Sequence, residues 1–204
     1  SAEPGSGKTT LVPLLLMDEA WLAGRSILML EPRRPAARMA ARRMAVLRGE
    51  AVGDSVGYRV RFERQVSAAT RIEVLTEGLL LRRLQADPEL KGVGLLIFDE
   101  FHERNLQGDL SLALSLDVAS ALRDDLRLLV MSASLDAQPL VALMSATAID
   151  APGRVHPVEI SHADADASGP SGGPCCTRRR CCPGRRPPHH PAPARSSPDH
   201  GRRL

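Results

Sequence analysis

Two runs of consecutive apolar residues, Leu95-Leu96-Ile97-Phe98 and Leu128-Leu129-Val130-Met131, constrain the fold of this chain more than any other feature. A strand with one face in water alternates apolar and polar residues. A strand without alternation is buried on both faces, as inside a parallel sheet covered by helices. Segments of helical period separate these runs from other short apolar stretches, so residues 1–160 read as an α/β domain. The expected architecture is a mainly parallel sheet with helices on both faces. Strands are expected over 26–31, 56–62, 71–75, 93–99 and 127–132, and helices over 8–23, 35–48, 77–86, 109–122 and 136–144. Pro13 removes an intrahelical hydrogen bond and is expected to kink the first helix.

The pattern stops near Ile160. Residues 1–160 carry a net charge of −2, whereas the last 44 carry +5, with 8 of the 16 Pro, all four Cys and four of the six His. Leu204 is the only large apolar residue in that tail, which therefore cannot build a core. The sequence pI of about 8.9 describes the tail and is no signature of a nucleic-acid-binding domain. Residues 161–204 are read as disordered. Runs of Arg, Pro, Ala, Gly, Cys and His are also what GC-rich DNA yields out of frame, and 25 Arg against 2 Lys point to such DNA. A frameshifted tail ranks ahead of a functional one. Cys175, Cys176, Cys181 and Cys182 poorly match the spaced pairs of a zinc site, while an Arg-rich tail can bind RNA without sequence preference.

No stretch approaches the roughly 18 apolar residues that a membrane helix needs, and residues 1–20 lack the pattern of a signal peptide. Residues 1–160 contain no Cys, so nothing suggests a disulfide-stapled secreted domain. The expectation is a cytoplasmic protein without a membrane partner.

Chemistry enters at Ala2-Glu3-Pro4-Gly5-Ser6-Gly7-Lys8-Thr9, a phosphate-binding loop with Ala in place of its first Gly. Glycines let backbone N–H groups turn inward around phosphate oxygens, and the following helix aims its positive end at the same anion. Gly5, Ser6, Gly7, Lys8, Thr9 and Thr10 are the candidate ATP-binding residues. Lys8 would reach the β- and γ-phosphates, and the Thr9 hydroxyl suits Mg²⁺, a hard cation that takes oxygen ligands. The competing reading is a Gly-rich turn before a helix. The strand that should precede the loop falls before Ser1, so the first strand is expected to be truncated.

A second signal, Asp99-Glu100-Phe101-His102-Glu103-Arg104, ends the most apolar strand. A carboxylate there lies at the carboxyl edge of the sheet, where open α/β sheets bind ligands. Asp99 can hold the Mg²⁺ of a nucleotide, and Glu100 can orient and deprotonate an attacking water. A charged strand end is more often a solvated turn, but one about ninety residues after a phosphate loop favours phosphate chemistry.

The order Gly5-Ser6-Gly7-Lys8-Thr9-Thr10, Glu31-Pro32-Arg33-Arg34, Leu75-Thr76-Glu77-Gly78, Asp99-Glu100-Phe101-His102-Glu103-Arg104 and Met131-Ser132-Ala133-Ser134 resembles motifs I, Ia, Ib, II and III of DEAH-box helicases. Val56-Gly57-Tyr58-Arg59-Val60-Arg61-Phe62 and Gly153-Arg154-Val155-His156-Pro157-Val158-Glu159 add a likeness to the bacterial members. The resemblance implies that residues 1–152 are the first of two RecA-like domains, that 153–160 lead into a second, and that ATP hydrolysis with Mg²⁺ drives movement along single-stranded RNA. By the same resemblance Lys8, Asp99, Glu100 and His102 are catalytic. Thr9 and Asp99 hold the metal, and Arg33, Arg34, Thr76 and Gly78 contact the nucleic-acid backbone. Ser132 and Ser134 couple hydrolysis to strand movement, although Ser134 stands where the family usually has Thr.

Bland readings stand beside each role: an exposed helix entrance for Arg33 and Arg34, a helix-start turn for Gly78, a helix cap for Ser132 and Ser134, a structural histidine for His102. Nothing after residue 160 resembles a second domain with its arginine finger. The 204-residue chain is therefore expected to bind nucleotide weakly, hydrolyse it poorly and unwind nothing. The alternatives are another P-loop ATPase or kinase, or a nucleotide- or RNA-binding fragment without turnover.

Overall fold

Six strands form one sheet in the order β3-β2-β4-β1-β5-β6. They are β1 (Ser26–Glu31), β2 (Val56–Val60), β3 (Glu63–Gln65), β4 (Ile72–Thr76), β5 (Val93–Phe98) and β6 (Arg127–Val130). The computed structural model describes residues 7–133 and 138–151, all within a compact unit that runs from Ser1 to Pro157. Gly5, Ser6, Ser134, the 153–160 segment and the whole 161–204 tail lie outside the described residues.

Every strand pair is parallel except β2 with β3. Among the described residues five helices accompany them, α1 (Lys8–Met17), α2 (Arg34–Arg48), α3 (Glu77–Ala86), α4 (Leu106–Ala121) and α5 (Gln138–Met144), of which α2, α3 and α4 connect strands. Successive strand residues point to opposite faces, and the core divides accordingly. Ile27, Met29, Tyr58, Val74 and Ile97 pack with α1 and α2. Leu28, Leu30, Leu75, Leu96 and Phe98 pack with α3, α4 and α5. β5 is buried at all six positions, as its unalternating sequence requires.

Where element ends depart from the periodicity, side-chain chemistry accounts for it. The first helix stops at Met17, not residue 23; a short 3₁₀ turn, Ala20–Leu22, follows. Arg71 Nη2 donates to the Met17 carbonyl (2.8 Å), satisfying a group that another helical turn would have used. The helix runs on through a buried Pro13, its sixth residue, where the missing N–H leaves the Thr9 carbonyl without its intrahelical donor. α4 begins at Leu106 and not at 109, because Asn105 Oδ1 accepts from the Gly108 N–H (2.8 Å) and caps the helix.

β2 ends at Val60, and Arg61-Phe62 turn the chain into β3, with Phe62 at φ 70°. β3 has only polar residues and hence no hydrophobic period. Glu63 holds it in place by accepting from the Tyr58 hydroxyl and pairing with Arg38 on α2 (3.1 Å). Gly57 is obligatory at this hairpin. A Cβ there would sit 2.3 Å from the Gln65 carbonyl oxygen.

Candidate functional site

Parallel strands end together, so their last residues share one edge of the sheet. Thr76 on β4 is in register with Glu31 on β1, and Phe98 on β5 is in register with Leu30 on one side and Val130 on the other. The Asp99 N–H donates to the Leu30 carbonyl (3.0 Å), and the Phe101 N–H to Met131 (3.2 Å). The fold thereby lines up Thr76, Glu31, Asp99 and Ser132, residues from four sequence-distant motifs.

Asp99 is buried, at 3% exposure. Its Oδ1 accepts from the Glu100 N–H (2.9 Å). Its Oδ2 is buried without a hydrogen bond. Glu31 is itself only 2% exposed. Burial first, then the charges of Asp99 and Glu100, push the Glu31 carboxyl up to about 8. Sequence reasoning quoted Glu31 but assigned it nothing. The signal was available: like Asp99, it is an acid that ends an apolar run of a parallel strand.

The chain leaves β5 sharply. Glu100 adopts a left-handed conformation (φ 50°) and opens a 3₁₀ turn, Phe101–Glu103. This conformation is costly for a residue with a Cβ. His102 Nδ1 lies 3.4 Å from Glu100 Oε2, within ion-pair reach but without hydrogen-bond geometry. The Ser132 hydroxyl is likewise buried with no hydrogen bond.

Of the phosphate-loop residues, Gly7 to Thr10 are described. Gly7 has φ 82° and immediately precedes α1. Its carbonyl accepts from the Thr10 and Leu11 N–H groups (3.0 and 2.8 Å), and Thr10 Oγ1 also donates to it (3.3 Å). Among the described residues no side chain caps this helix, and its first turn holds no acid. Gly7, Lys8, Met131 and Ser132 line one cavity of about 480 Å³, which brings the loop to the β6 edge. Leu11, Val12, Leu129, Leu140 and Met144 make its walls mostly apolar, and neither Glu31 nor Asp99 lines it.

Arg33 and Arg34 are exposed where β1 passes into α2. Arg33 Nη2 pairs with Glu103 Oε1 at 2.9 Å. Thr76 ends β4 without a capping hydrogen bond to α3. A Cβ on Gly78 would lie 3.1 Å from Gln107 Oε1, so this glycine also serves the packing of α3 on α4. Asn105 and Glu77 were missed by sequence reasoning. Asn105 Nδ2 donates to Glu77 Oε1 (3.1 Å), tying the start of α4 to the start of α3.

Among the described residues no three His, Cys, Asp or Glu side chains form a metal-binding group. The single buried, unpartnered Asp99 oxygen instead fits a cation that brings most of its ligands with it, as Mg²⁺ does on a nucleotide. No helix among the described residues is long and apolar enough to cross a membrane.

Comparison with known proteins agrees with this arrangement. The chain is 54% identical over 160 residues to the ATP-dependent RNA helicase HrpB of Escherichia coli (strain K12), covering 78% of this chain and 20% of that protein. It is 40% identical over 163 residues to the DExH-box ATP-dependent RNA helicase DExH3 of Arabidopsis thaliana, covering 78% and 14%. The crystal structure of the E. coli DEAH/RHA helicase HrpB superposes with a TM-score of 0.72 at 54% identity, again over 78% of this chain and 20% of that one. The chain thus spans about a fifth or less of these relatives. Residues 1–153 match the DEAD/DEAH box helicase domain. The chain therefore belongs to the DEAD/DEAH box helicase family.

Proposed function

We propose that this chain is the nucleotide-binding first RecA-like domain of an ATP-dependent RNA helicase, residues 1–152, and that 153–160 lead into a second such domain in a longer protein. ATP hydrolysis would there drive movement along single-stranded RNA in the cytoplasm. The observation that carries the reading is the buried Asp99, with one oxygen unpartnered, on the edge that also bears Glu31, Thr76 and Ser132. The printed names of HrpB and DExH3 supply the substrate class.

Lys8 and the N–H groups around Gly5, Ser6, Gly7 and Thr10 bind the phosphates of ATP. Thr9 and Asp99 hold Mg²⁺, which neutralises phosphate charge and orients the phosphoryl group. Glu100 positions and deprotonates the attacking water, with His102 beside it. Ser132 and Ser134 relay the state of this site to the rest of the edge. Arg33 and Arg34 pair with RNA phosphates, while Thr76 and Gly78 approach the same backbone from the start of α3. All four groups act on the backbone and read no base.

Titration of the chain with fluorescent ADP, with and without Mg²⁺, and with a fluorescent single-stranded RNA tests this reading. Metal-dependent nucleotide binding and salt-dependent RNA binding are expected, with little turnover by a single domain. Failure to bind either ligand would overturn it, and RNA-stimulated turnover by the 204-residue chain would overturn the need for a second domain. Phosphorylation of a small acceptor would favour the kinase alternative.

A further inference from the structure

Two loops that carry different jobs in the proposed function are joined by an ion pair. Arg33 closes the loop after β1, in extended conformation (φ −123°, ψ 132°), with its side chain 71% exposed. Glu103 ends the 3₁₀ turn that follows Asp99 and Glu100, with its side chain 31% exposed. Their charged atoms lie 2.9 Å apart.

We infer that Glu103 is an internal stand-in for an RNA phosphate: it holds Arg33 while no nucleic acid is bound, and an incoming phosphate displaces it. The inference rests on the reading of Arg33 as a backbone contact. A carboxylate and a phosphate offer a guanidinium the same pair of oxygens. An ion pair this exposed is weak enough to exchange. A polyanion that releases counterions on binding competes effectively for the arginine.

The exchange has a consequence at the nucleotide. Glu103, like Asp99 and Glu100, lies close enough for its charge to act on the buried Glu31 carboxyl at the strand ends. Arg33 is the cation paired with Glu103. When RNA withdraws Arg33, the Glu103 charge is uncovered and the edge becomes a better site for the cation of a metal nucleotide. RNA and Mg²⁺-nucleotide then strengthen each other's binding, by the same factor in both directions. The ion pair makes Glu103 a positioning residue that acts through Arg33 and is not itself catalytic.

The test is a double-mutant cycle on the full 204-residue chain. Affinity for a fluorescent decauridylate is measured by anisotropy for the parent, Glu103→Gln, Arg33→Ala and the double variant. Arg33→Ala is expected to weaken binding at least threefold. Glu103→Gln is expected to tighten it about two- to fivefold in the parent, a size set by an exposed ion pair, and to change nothing when Arg33 is already gone. Equal tightening in both backgrounds would mean that Glu103 only repels RNA at a distance, and would overturn the inference. So would no tightening at all, with the Arg33 contact left standing. An Arg33→Ala variant that binds like the parent would instead overturn the phosphate-contact reading, and the inference with it. As a second readout, saturating RNA is expected to tighten Mg²⁺-ADP binding in the parent and not in Glu103→Gln. Unchanged nucleotide affinity in the parent would overturn the coupling.

Discussion

Glu31 and Asp99 end adjacent parallel strands with both carboxyls buried, and the Asp99 charge bears on the Glu31 carboxyl. Burial and the Asp99 charge keep the proton on Glu31 up to about pH 8, against an ordinary value of 4.5. An unfolded chain releases that proton near 4.5, so the folded state binds the extra proton between 4.5 and about 8. The stability that Glu31 contributes is fully present below 4.5 and lost as the pH rises through about 8. Gln has no such proton to lose. The melting temperature of Glu31→Gln should therefore gain on the parent from pH 5 to pH 8. Parallel pH profiles for the two proteins would show that Glu31 titrates as an ordinary carboxyl.

Asp99 keeps one buried carboxylate oxygen without a hydrogen-bond partner, and Asn offers an uncharged amide in its place. Asp99→Asn should abolish the increase in ADP affinity that Mg²⁺ produces, while metal-free affinity holds or rises, since one negative charge near the phosphates is removed. Calorimetric titration with and without Mg²⁺ checks this. A retained metal effect would move the cation elsewhere.

Arg33 is mostly exposed and carries its charge to the loop after β1. If it meets one phosphate of a single strand, Arg33→Ala should lower the slope of log affinity against log salt by about 0.7, uniformly across base sequences. Anisotropy titrations between low and moderate salt measure the slope. An unchanged slope would place the arginine away from RNA.

Gly57 has no room for a methyl group, because a Cβ would press on the Gln65 carbonyl at 2.3 Å and the Val66 side chain at 2.9 Å. Gly57→Ala should destabilise the domain by about 2 kcal/mol, as overpacking against backbone does. Urea denaturation reads the loss, and a neutral variant would mean that the β2–β3 hairpin yields freely.

Asn105 caps α4 with its oxygen and holds Glu77 with its nitrogen. Asn105→Ala removes both contacts and should cost about 1 kcal/mol. Asn105→Asp restores only the cap and, beside Glu77, should not recover the full amount. Comparing the two by urea denaturation separates the cap from the tie.

Much of this architecture was legible in the sequence because local rules decide it. Unalternating runs such as Val93–Phe98 can be satisfied only inside a covered parallel sheet, and the structure buries all six of those residues. α3 follows its apolar period from Glu77 to Ala86, and β1 runs over the six residues that its composition favours. Asp99 stood out as a candidate for a related reason: an acid at the end of an apolar strand must meet either solvent or a partner, and the structure buries it. The β2–β3 hairpin was not legible, since Glu63–Gln65 has no hydrophobic signal and is held by Tyr58 and Arg38 from other elements.

Strand order is what the sequence by itself left open. It singled out the candidates for chemistry, in the Gly-rich loop before α1, the acids of the Asp99–Arg104 segment and the arginines after β1. Only the tertiary structure decided that β1 lies between β4 and β5. That order sets Glu31 against Asp99 and Arg33 against Glu103. The physical reason is range. Hydrophobic period and backbone chemistry act over a few neighbouring residues, whereas the charge of a buried carboxyl depends on whatever the sheet places a few ångströms away.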